Sequence, residues 1–385
     1  MAHSMMAHGA YWLSDCGVVL SVLAIAYTLI ALVAVRRPRR AAQLTPGLRP
    51  PISVLKPLCG ADYGLYESLR SFCVQQYPRF QIIFGVHDAA DPAVQVVERL
   101  QREFPTLDLH IAIDPRQLGS SRKVSNLLNM MPLALHDLLV IADADVRVAP
   151  DYLERVVAPL QDRGVGIVTC PYRGSPRPGL PSFLGAIFIN EWFMPSAWVA
   201  AMFGSRSFSF GATIAIRREA LESIGGFAAI ANQLADDYRL GELTRRLGLR
   251  TVLSDVEVET CVDERSMADL LQHELRWLRT IRTVQPIGYA FSFISFGVPT
   301  AIVGCLLAGG AAPTGVLLAV TVAARLLLHY AVAGPRLLPV SRTWLLLLSD
   351  AIAFGLWCWG FIARTVEWRN VRYYVARDGS THPMP

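Results

Sequence analysis

The apolar run Asp137-Leu-Leu-Val-Ile-Ala142 delivers two carboxylates one residue apart, Asp143 and Asp145. On a turn leaving a strand, such a pair offers hard oxygen ligands to a divalent cation that can bridge phosphate oxygens. Turn chemistry, or a cap for a helix beginning near Tyr152, is the plain alternative. A second acidic pair, in Asp236-Asp237-Tyr238, opens a run with Leu240, Leu243 and Leu247 at helical spacing, ending near Gly248. Acids at a helix start are stabilised by its dipole, so an ordinary cap and a general base facing a substrate hydroxyl both fit. His273-Glu-Leu-Arg276-Trp277-Leu-Arg279-Thr-Ile-Arg282 places Arg276, Arg279 and Arg282 on one broad helix face. Guanidinium groups suit a diphosphate, and tryptophan stacks on a sugar or sits at a membrane surface; a positive-inside cluster is the bland reading and part of the truth. Lys123 precedes a helix and could contact phosphate, or be a solvated surface lysine. Phe210-Gly211-Ala-Thr213 precedes an Ile/Ala strand and reads as a close-approach loop.

The elements that must carry these groups alternate. Ile52–Leu55, Gln81–Val86, Leu109–Ile113 and Asp137–Ala142 read as short buried strands, and Tyr66–Gln75, Pro92–Phe104 and Asn126–Leu135 as helices between them. Strand–helix alternation predicts an α/β domain with a mainly parallel sheet, whose ligands sit beyond the carboxyl ends of the strands. Asp88 and Asp143 both fall there. No G-x-G-x-x-G follows the first strand, which argues against hydride transfer.

Composition supplies the surroundings. Of 385 residues, 53% are hydrophobic and only 17% charged, against about a quarter charged in an ordinary soluble domain. Disorder is excluded, and so is a wholly membrane-embedded chain, because charges concentrate in the middle. The net charge of +5 comes largely from arginines beside apolar runs, which suits a bilayer surface rather than a nucleic acid. Seven cysteines without a C-x-x-C pair suggest neither a disulfide framework nor a zinc site. Residues 11–35 are long enough to span a bilayer, and Arg36, Arg37, Arg39 and Arg40 after them predict an uncleaved anchor with its C-terminal end in the cytoplasm. Further apolar stretches run over Ile287–Gly309, Thr314–Ala333 and Trp344–Ala363. The last two carry Arg325, His329 and Asp350, and mid-span charges predict that Arg325 or His329 pairs with Asp350. Three crossings after a cytoplasmic domain would put the basic tail (Arg364, Arg369, Arg372, Arg377) outside. One of the three is therefore read as re-entrant or interfacial, and which one stays open. The aromatic segment Phe183–Phe203, interrupted by Glu191 and Pro195, is read as core or as an amphipathic element on the bilayer, with the second favoured.

In order and spacing, Asp88, Asp143-Ala-Asp145, Asp237 and Arg276-Trp277 between an anchor and C-terminal spans resemble the ceramide glucosyltransferase family, whose marks are three aspartates and a (Q/R)-x-x-R-W motif. The likeness extends through Val86-His-Asp88-Ala-Ala-Asp91-Pro92-Ala93 and Ile224-Gly-Gly226. Across Ile52–Gly60 and Ser205–Arg217 it is closest to the bacterial hopanoid-biosynthesis branch. The resemblance implies a cytoplasmic GT-A domain, a Rossmann-like nucleotide-diphospho-sugar transferase fold, over 52–285 with interfacial elements near 183–203 and 268–285. Around it lie a basic Pro-rich linker at 36–51, a membrane region of two or three spans at 286–363 and a basic tail at 364–385.

By the same resemblance, Asp88 would bind the uridine side of a UDP-sugar, with Lys123 nearby on the donor side, and Asp143 and Asp145 the nucleotide with Mg²⁺ or Mn²⁺. Asp237 would be the base, while Arg276 and Trp277 would close over diphosphate and acceptor; Gly211, Thr213, Asp236 and His273 are acceptor-side or loop candidates. His273 replaces the family's Gln or Arg, so the motif supports Arg276 better than position 273. The implied reaction is inverting transfer, at the inner membrane of a multi-pass protein, of N-acetylglucosamine to a bacteriohopane polyol. The alternative is glucose to ceramide. A processive polysaccharide synthase would need more spans, and a non-catalytic UDP-sugar or lipid sensor would have no use for all the aspartates. No nucleic-acid partner is expected.

Overall fold

The structure is a computed structural model that describes residues 2–39, 43, 45, 49–333, 340–362, 365–368, 371–376 and 379–383. Arg40, Arg364, Arg369 and Arg377 lie outside the described residues, as do linker residues 41–42, 44 and 46–48. The chain forms two compact units. A helical unit comprises Met1–Pro38, Pro178–Gly204 and Glu264–Ala363; an α/β unit comprises Arg39–Arg177, Ser205–Asp263 and Arg364–Pro385.

Helix α1 (Ala2–Arg36) opens the helical unit. In the α/β unit, strands β1 (Ile52–Pro57), β2 (Phe80–Val86), β3 (Asp108–Ile113) and β4 (Leu138–Ile141) alternate with α2 (Leu65–Cys73), α3 (Ala93–Glu103) and α4 (Arg122–Met130). Beyond β4 come β5 (Val146–Arg147), α5 (Tyr152–Val157), β6 (Val165–Thr169) and β7 (Tyr172–Pro176). The chain then passes through α6 (Leu180–Ile187) and α7 (Met194–Met202) of the helical unit. It returns as β8 (Ile214–Arg217), α8 (Arg218–Ser223), α9 (Asp236–Arg246), β9 (Arg250–Leu253) and β10 (Val258–Val262).

Seven strands form one sheet in the order β3-β2-β1-β4-β8-β6-β9. All neighbours are parallel except β8, which runs antiparallel to both β4 and β6. The expected parallel sheet thus holds with one reversed strand, which arrives from the helical unit instead of from a crossover helix. Continuous apolar runs make the sheet because both of its faces are covered: Ile52, Val54 and Leu55 are fully buried. A second sheet, in the order β5-β10-β7, begins with β5 just after β4. Helix α4 starts four residues before the predicted Asn126, because the Ser121 hydroxyl accepts the Val124 N–H at 3.3 Å and caps it there. It ends early because Pro132 has no N–H to continue it. Lys123 therefore lies in the first turn of the helix, not before it.

The tail carries strands of its own. Strands β11 (Thr365–Trp368), β12 (Val371–Val375) and β13 (Thr381–Pro383) form an antiparallel sheet within the α/β unit. It is tied to the loop before α9 by the Leu234 N–H, which donates to the Gly379 carbonyl at 3.0 Å, and by a Gln233–Ser380 bridge.

The helical unit continues with α10 (Met267–Val284), α11 (Pro286–Phe291), α12 (Gly297–Leu307), α13 (Ala312–Ala333) and α14 (Trp344–Gly360). Among the described residues, Trp12–Arg36 and α13 are long and apolar enough to cross a bilayer. Pro286–Ser295 with α12 qualifies only as a pair bent by 78°, and α14 is shorter. Helices α1 and α12 touch through glycines: a Cβ on Gly17 would lie 2.2 Å from the Gly304 carbonyl oxygen, so only the bare backbones fit. Arg325 on α13 donates to both carboxylate oxygens of Asp350 on α14, at 2.9 and 3.0 Å, and to Glu191 at 2.7 Å. His329 pairs with Glu191, at 2.7 Å, rather than with Asp350. The acid that interrupts the aromatic segment thus completes the mid-helix charge cluster.

Candidate active site

Both acidic pairs sit where the backbone changes direction. Asp143 leaves the end of β4; Asp145 precedes β5 and accepts the Thr260 hydroxyl of β10 at 2.6 Å. Asp236 and Asp237 form the first turn of α9. The loop before α9 is tied to the start of α4: the Ser121 N–H donates to the Ala231 carbonyl at 3.0 Å and the Ser120 N–H to Asn232 Oδ1 at 2.9 Å. A Cβ on Gly119 would lie 2.4 Å from the Ala231 carbonyl oxygen, so glycine is required for this approach.

That seam brings Lys123 against three carboxylates. Its Nζ lies 2.6 Å from Asp143 Oδ1 and 4.0 Å from Asp236 Oδ2. Asp237 accepts the Gly211 N–H at 2.8 Å and the Tyr238 N–H at 2.7 Å. A Cβ placed on Gly211 would lie 3.0 Å from Lys123 Nζ, 3.2 Å from Asp143 Oδ2 and 3.4 Å from Asp237 Oδ2. Ammonium and carboxylates thus converge on the space that glycine leaves open.

The electrostatics follow from burial and these neighbours. Burial, then the charge of Asp236, pushes Asp237 up to about 6, with Lys123 and the Tyr238 and Gly211 N–H groups acting against it. Burial works against the Lys123 charge, but Asp143, Asp236 and Asp237 outweigh it and raise its pKa. Asp145 is raised by burial and by Asp143.

One residue the sequence reading passed over lies behind the turn. Lys56 is fully buried in β1, donates to the Asp143 carbonyl and stands 4.1 Å from the centre of the Phe72 ring. Burial pushes it down to about 7. Its signal was visible: a lysine inside the apolar run Ile52-Ser-Val-Leu-Lys56, at the carboxyl end of a strand.

The other candidates are placed differently. Asp88 is exposed at the end of β2, where its carboxylate accepts the Ala90 N–H at 2.9 Å. Thr213 belongs to the core, fully buried and 3.1 Å from the Tyr152 hydroxyl. His273, Arg276 and Trp277 lie on α10 in the helical unit. There the His273 ring bonds Glu264 and meets Trp277 edge-on at 5.4 Å, and Trp277 packs against Phe193 at 5.2 Å and Phe188 at 6.2 Å. Arg282 donates to the carbonyl of Phe361 at 2.9 Å and to that of Gly360, capping the end of α14.

Asp143 and Asp145 are hard oxygen donors that fit a divalent cation whose remaining ligands come from phosphate. Among the described residues no third imidazole, thiol or carboxylate joins them as a protein-only metal cluster.

Three comparisons with known proteins agree. Ceramide glucosyltransferase 3 of Caenorhabditis elegans is 25% identical over 234 residues, covering 60% of this chain and 50% of that protein. Ceramide glucosyltransferase 1 of the same animal is 26% identical over 244 residues, or 63% and 52%. The chain thus spans about half the length of these curated relatives. Among solved structures, the mannosyltransferase PcManGT from Pyrobaculum calidifontis, in complex with GDP-Man and Mn²⁺, superposes with a TM-score of 0.60 at 21% identity, over 91% of this chain and 99% of that one. The fold is accordingly GT-A-like. The family pattern described as Glycosyl transferase family 21 matches residues 16–381, and the chain belongs to that family.

Proposed function

We propose that this protein is an inverting glycosyltransferase that moves one sugar from a UDP-sugar to a hydroxyl of a membrane lipid. The observation that carries the reading is the convergence of Asp237, Asp143 and Lys123 over Gly211 at the end of β4. In this reading Asp237, held by two backbone N–H groups and poised at about 6, takes the proton of the acceptor hydroxyl. The oxygen attacks the anomeric carbon from the face opposite UDP, and that single displacement inverts the centre. Lys123 offers positive charge to the diphosphate, Asp143 and Asp145 hold its cation, and Lys56 fixes the turn that carries them. A bound Mg²⁺ or Mn²⁺ supplies further charge to the departing diphosphate. The motif resemblance supports Asp88 on the uridine side and Arg276 and Trp277 on diphosphate and acceptor.

For the acceptor, the likeness across Ile52–Gly60 and Ser205–Arg217 supports N-acetylglucosamine transfer to a bacteriohopane polyol. The names of the curated relatives support glucose transfer to ceramide at least as well. Membranes containing the protein, with Asp237→Asn as control, are supplied with Mg²⁺, either UDP-sugar and either lipid, and the products weighed. An N-acetylhexosamine on the hopanoid, absent from the control, establishes the first reading; a hexose on ceramide establishes the second. No product with any pair rejects both.

The same reading makes this a multi-pass inner-membrane protein with the α/β unit in the cytoplasm, as the arginines after α1 indicate. The segment Pro178–Gly204 belongs to the helical unit, where its Glu191 meets Arg325 of α13. The tail strands belong to the α/β unit, which supports an even number of crossings after Asp263. Helices α12 and α13 pack on α1 and on each other, whereas α14 packs mainly on α10. We assign the crossings to the α12 pair and α13, and the interfacial place to α14.

A further inference from the structure

Helix α10 buries the stripe Leu270, Glu274 and Leu278. Leu270 packs with Leu184 and Ile187 of α6 and Leu346 of α14; Leu278 packs with Phe188 and Ala353. Four-residue spacing between two leucines calls for a third apolar side chain. A carboxyl stands there instead, 5% exposed.

Its Oε2 is sealed from solvent and without a hydrogen-bond partner among the described residues, and the same is true of Oε2 of Glu264, which is 9% exposed. Other buried acids of this unit are handled differently: Arg325 holds both Glu191 and Asp350, and His329 holds Glu191 as well. The Glu264–Glu274 pair is left wanting, and an unmet buried polar atom destabilises the fold that keeps it. With His273 the two acids do not converge as a metal site among the described residues. Burial, then the charge of Glu264, pushes Glu274 up to about 8, so near neutrality it is an acid that both donates and accepts. Glu264 accepts. Neighbouring hydroxyls, or a hydroxyl beside an amide, supply the matching set of groups. His273, with 38% of its side chain exposed and bonded to Glu264, is the open member, and Trp277 walls it edge-on.

We propose that Glu264 and Glu274, with His273 at their open edge, form the subsite for the hydroxyl-bearing head of the lipid acceptor. This rests on the preceding reading that the acceptor is such a lipid.

The test uses the full-length protein in nanodiscs, with bacteriohopanetetrol and ceramide as probes. Two readouts are taken: lipid-induced rise in melting temperature without nucleotide, and the KM for lipid and for UDP-sugar in transfer. Glu274→Leu completes the apolar stripe. It is expected to melt higher than wild type unliganded, to lose the lipid-induced rise, and to raise the lipid KM about tenfold or more while the UDP-sugar KM stays put. Glu274→Gln keeps a neutral donor–acceptor pair and is expected to restore most of the lipid affinity. Glu264→Gln provides a second position should the leucine variant misfold.

Wild-type lipid KM in Glu274→Leu, or loss in Glu274→Gln equal to that in Glu274→Leu, overturns the subsite and leaves the transfer reading intact. A lipid-induced rise that depends on Glu274, with no transfer by the wild type, sustains the subsite and rejects the transfer reading. No rise and no transfer with either lipid rejects both.

Discussion

The Gly211 N–H donates to Asp237 Oδ2 at 2.8 Å, and the same glycine leaves a gap that Lys123 and Asp143 close to within 3.2 Å of its absent Cβ. One residue therefore orients the candidate base and makes room for its counter-charge. Gly211→Ala would press a methyl onto all three groups. We expect transfer to fall about tenfold to a hundredfold, the range for sub-ångström misplacement of reacting groups, with a melting temperature close to wild type. Unchanged kcat would mean that the cluster tolerates spreading and that its convergence is incidental.

Asp237 must be ionised to accept a proton. With its value raised to about 6, the rate should rise with pH through about 6 and level off above, falling tenfold per unit on the acid side. Lys123 holds that value down, so Lys123→Met should move the acid limb to higher pH as well as weakening donor binding. Asp237→Asn should cost about a hundredfold to ten-thousandfold. The log of kcat against pH decides; an acid limb that stays put in Lys123→Met separates the lysine from the base.

Glu274 gives stability its own pH dependence. Between the unfolded carboxyl value of about 4.3 and the folded value of about 8, the native state holds a proton that the unfolded chain has lost. Its contribution is full below the lower value and is lost as pH rises to the upper one. Melting in detergent at pH 5 and pH 8, compared with Glu274→Leu, isolates it. A variant with the same pH slope as wild type would assign that slope to other groups.

Asp350 and Glu191 share Arg325, so Asp350→Asn leaves a buried guanidinium with one acid fewer. Breaking such a pair costs about 3–5 kcal/mol, read as a lower melting temperature in detergent. A loss under about 0.5 kcal/mol would show that Glu191 alone suffices.

The crossing assignment can be read chemically. With exposed native cysteines replaced, Ser380→Cys should react with an impermeant maleimide only after the cytoplasmic face is opened, and Gly309→Cys, in the turn between α12 and α13, from outside. Labelling of both from one face would return α14 to the membrane as a crossing.

Much of this was legible in order. An apolar run ending in Asp143 marks a buried strand and its carboxyl end because both signals are local, and the four strands β1 to β4 fall on the predicted runs within a few residues. The start of α9 at Asp236 and the span of α1 are local in the same sense. Partnership is not local. That Lys56 reaches the Asp143 carbonyl, that Thr213 retreats into the core, that Arg282 caps α14 and that Glu191 joins Arg325 all depend on segments far apart in the chain meeting. The same holds for the tail, whose strands answer to an edge near Gln233 that no nearby residue announces. Sequence determined which groups stand at the ends of which elements, because backbone preference and hydrophobic period act over a few residues. Tertiary structure decided which of those groups share a proton, a charge or a buried space, because burial and Coulomb interaction depend on distance in space and not on distance along the chain.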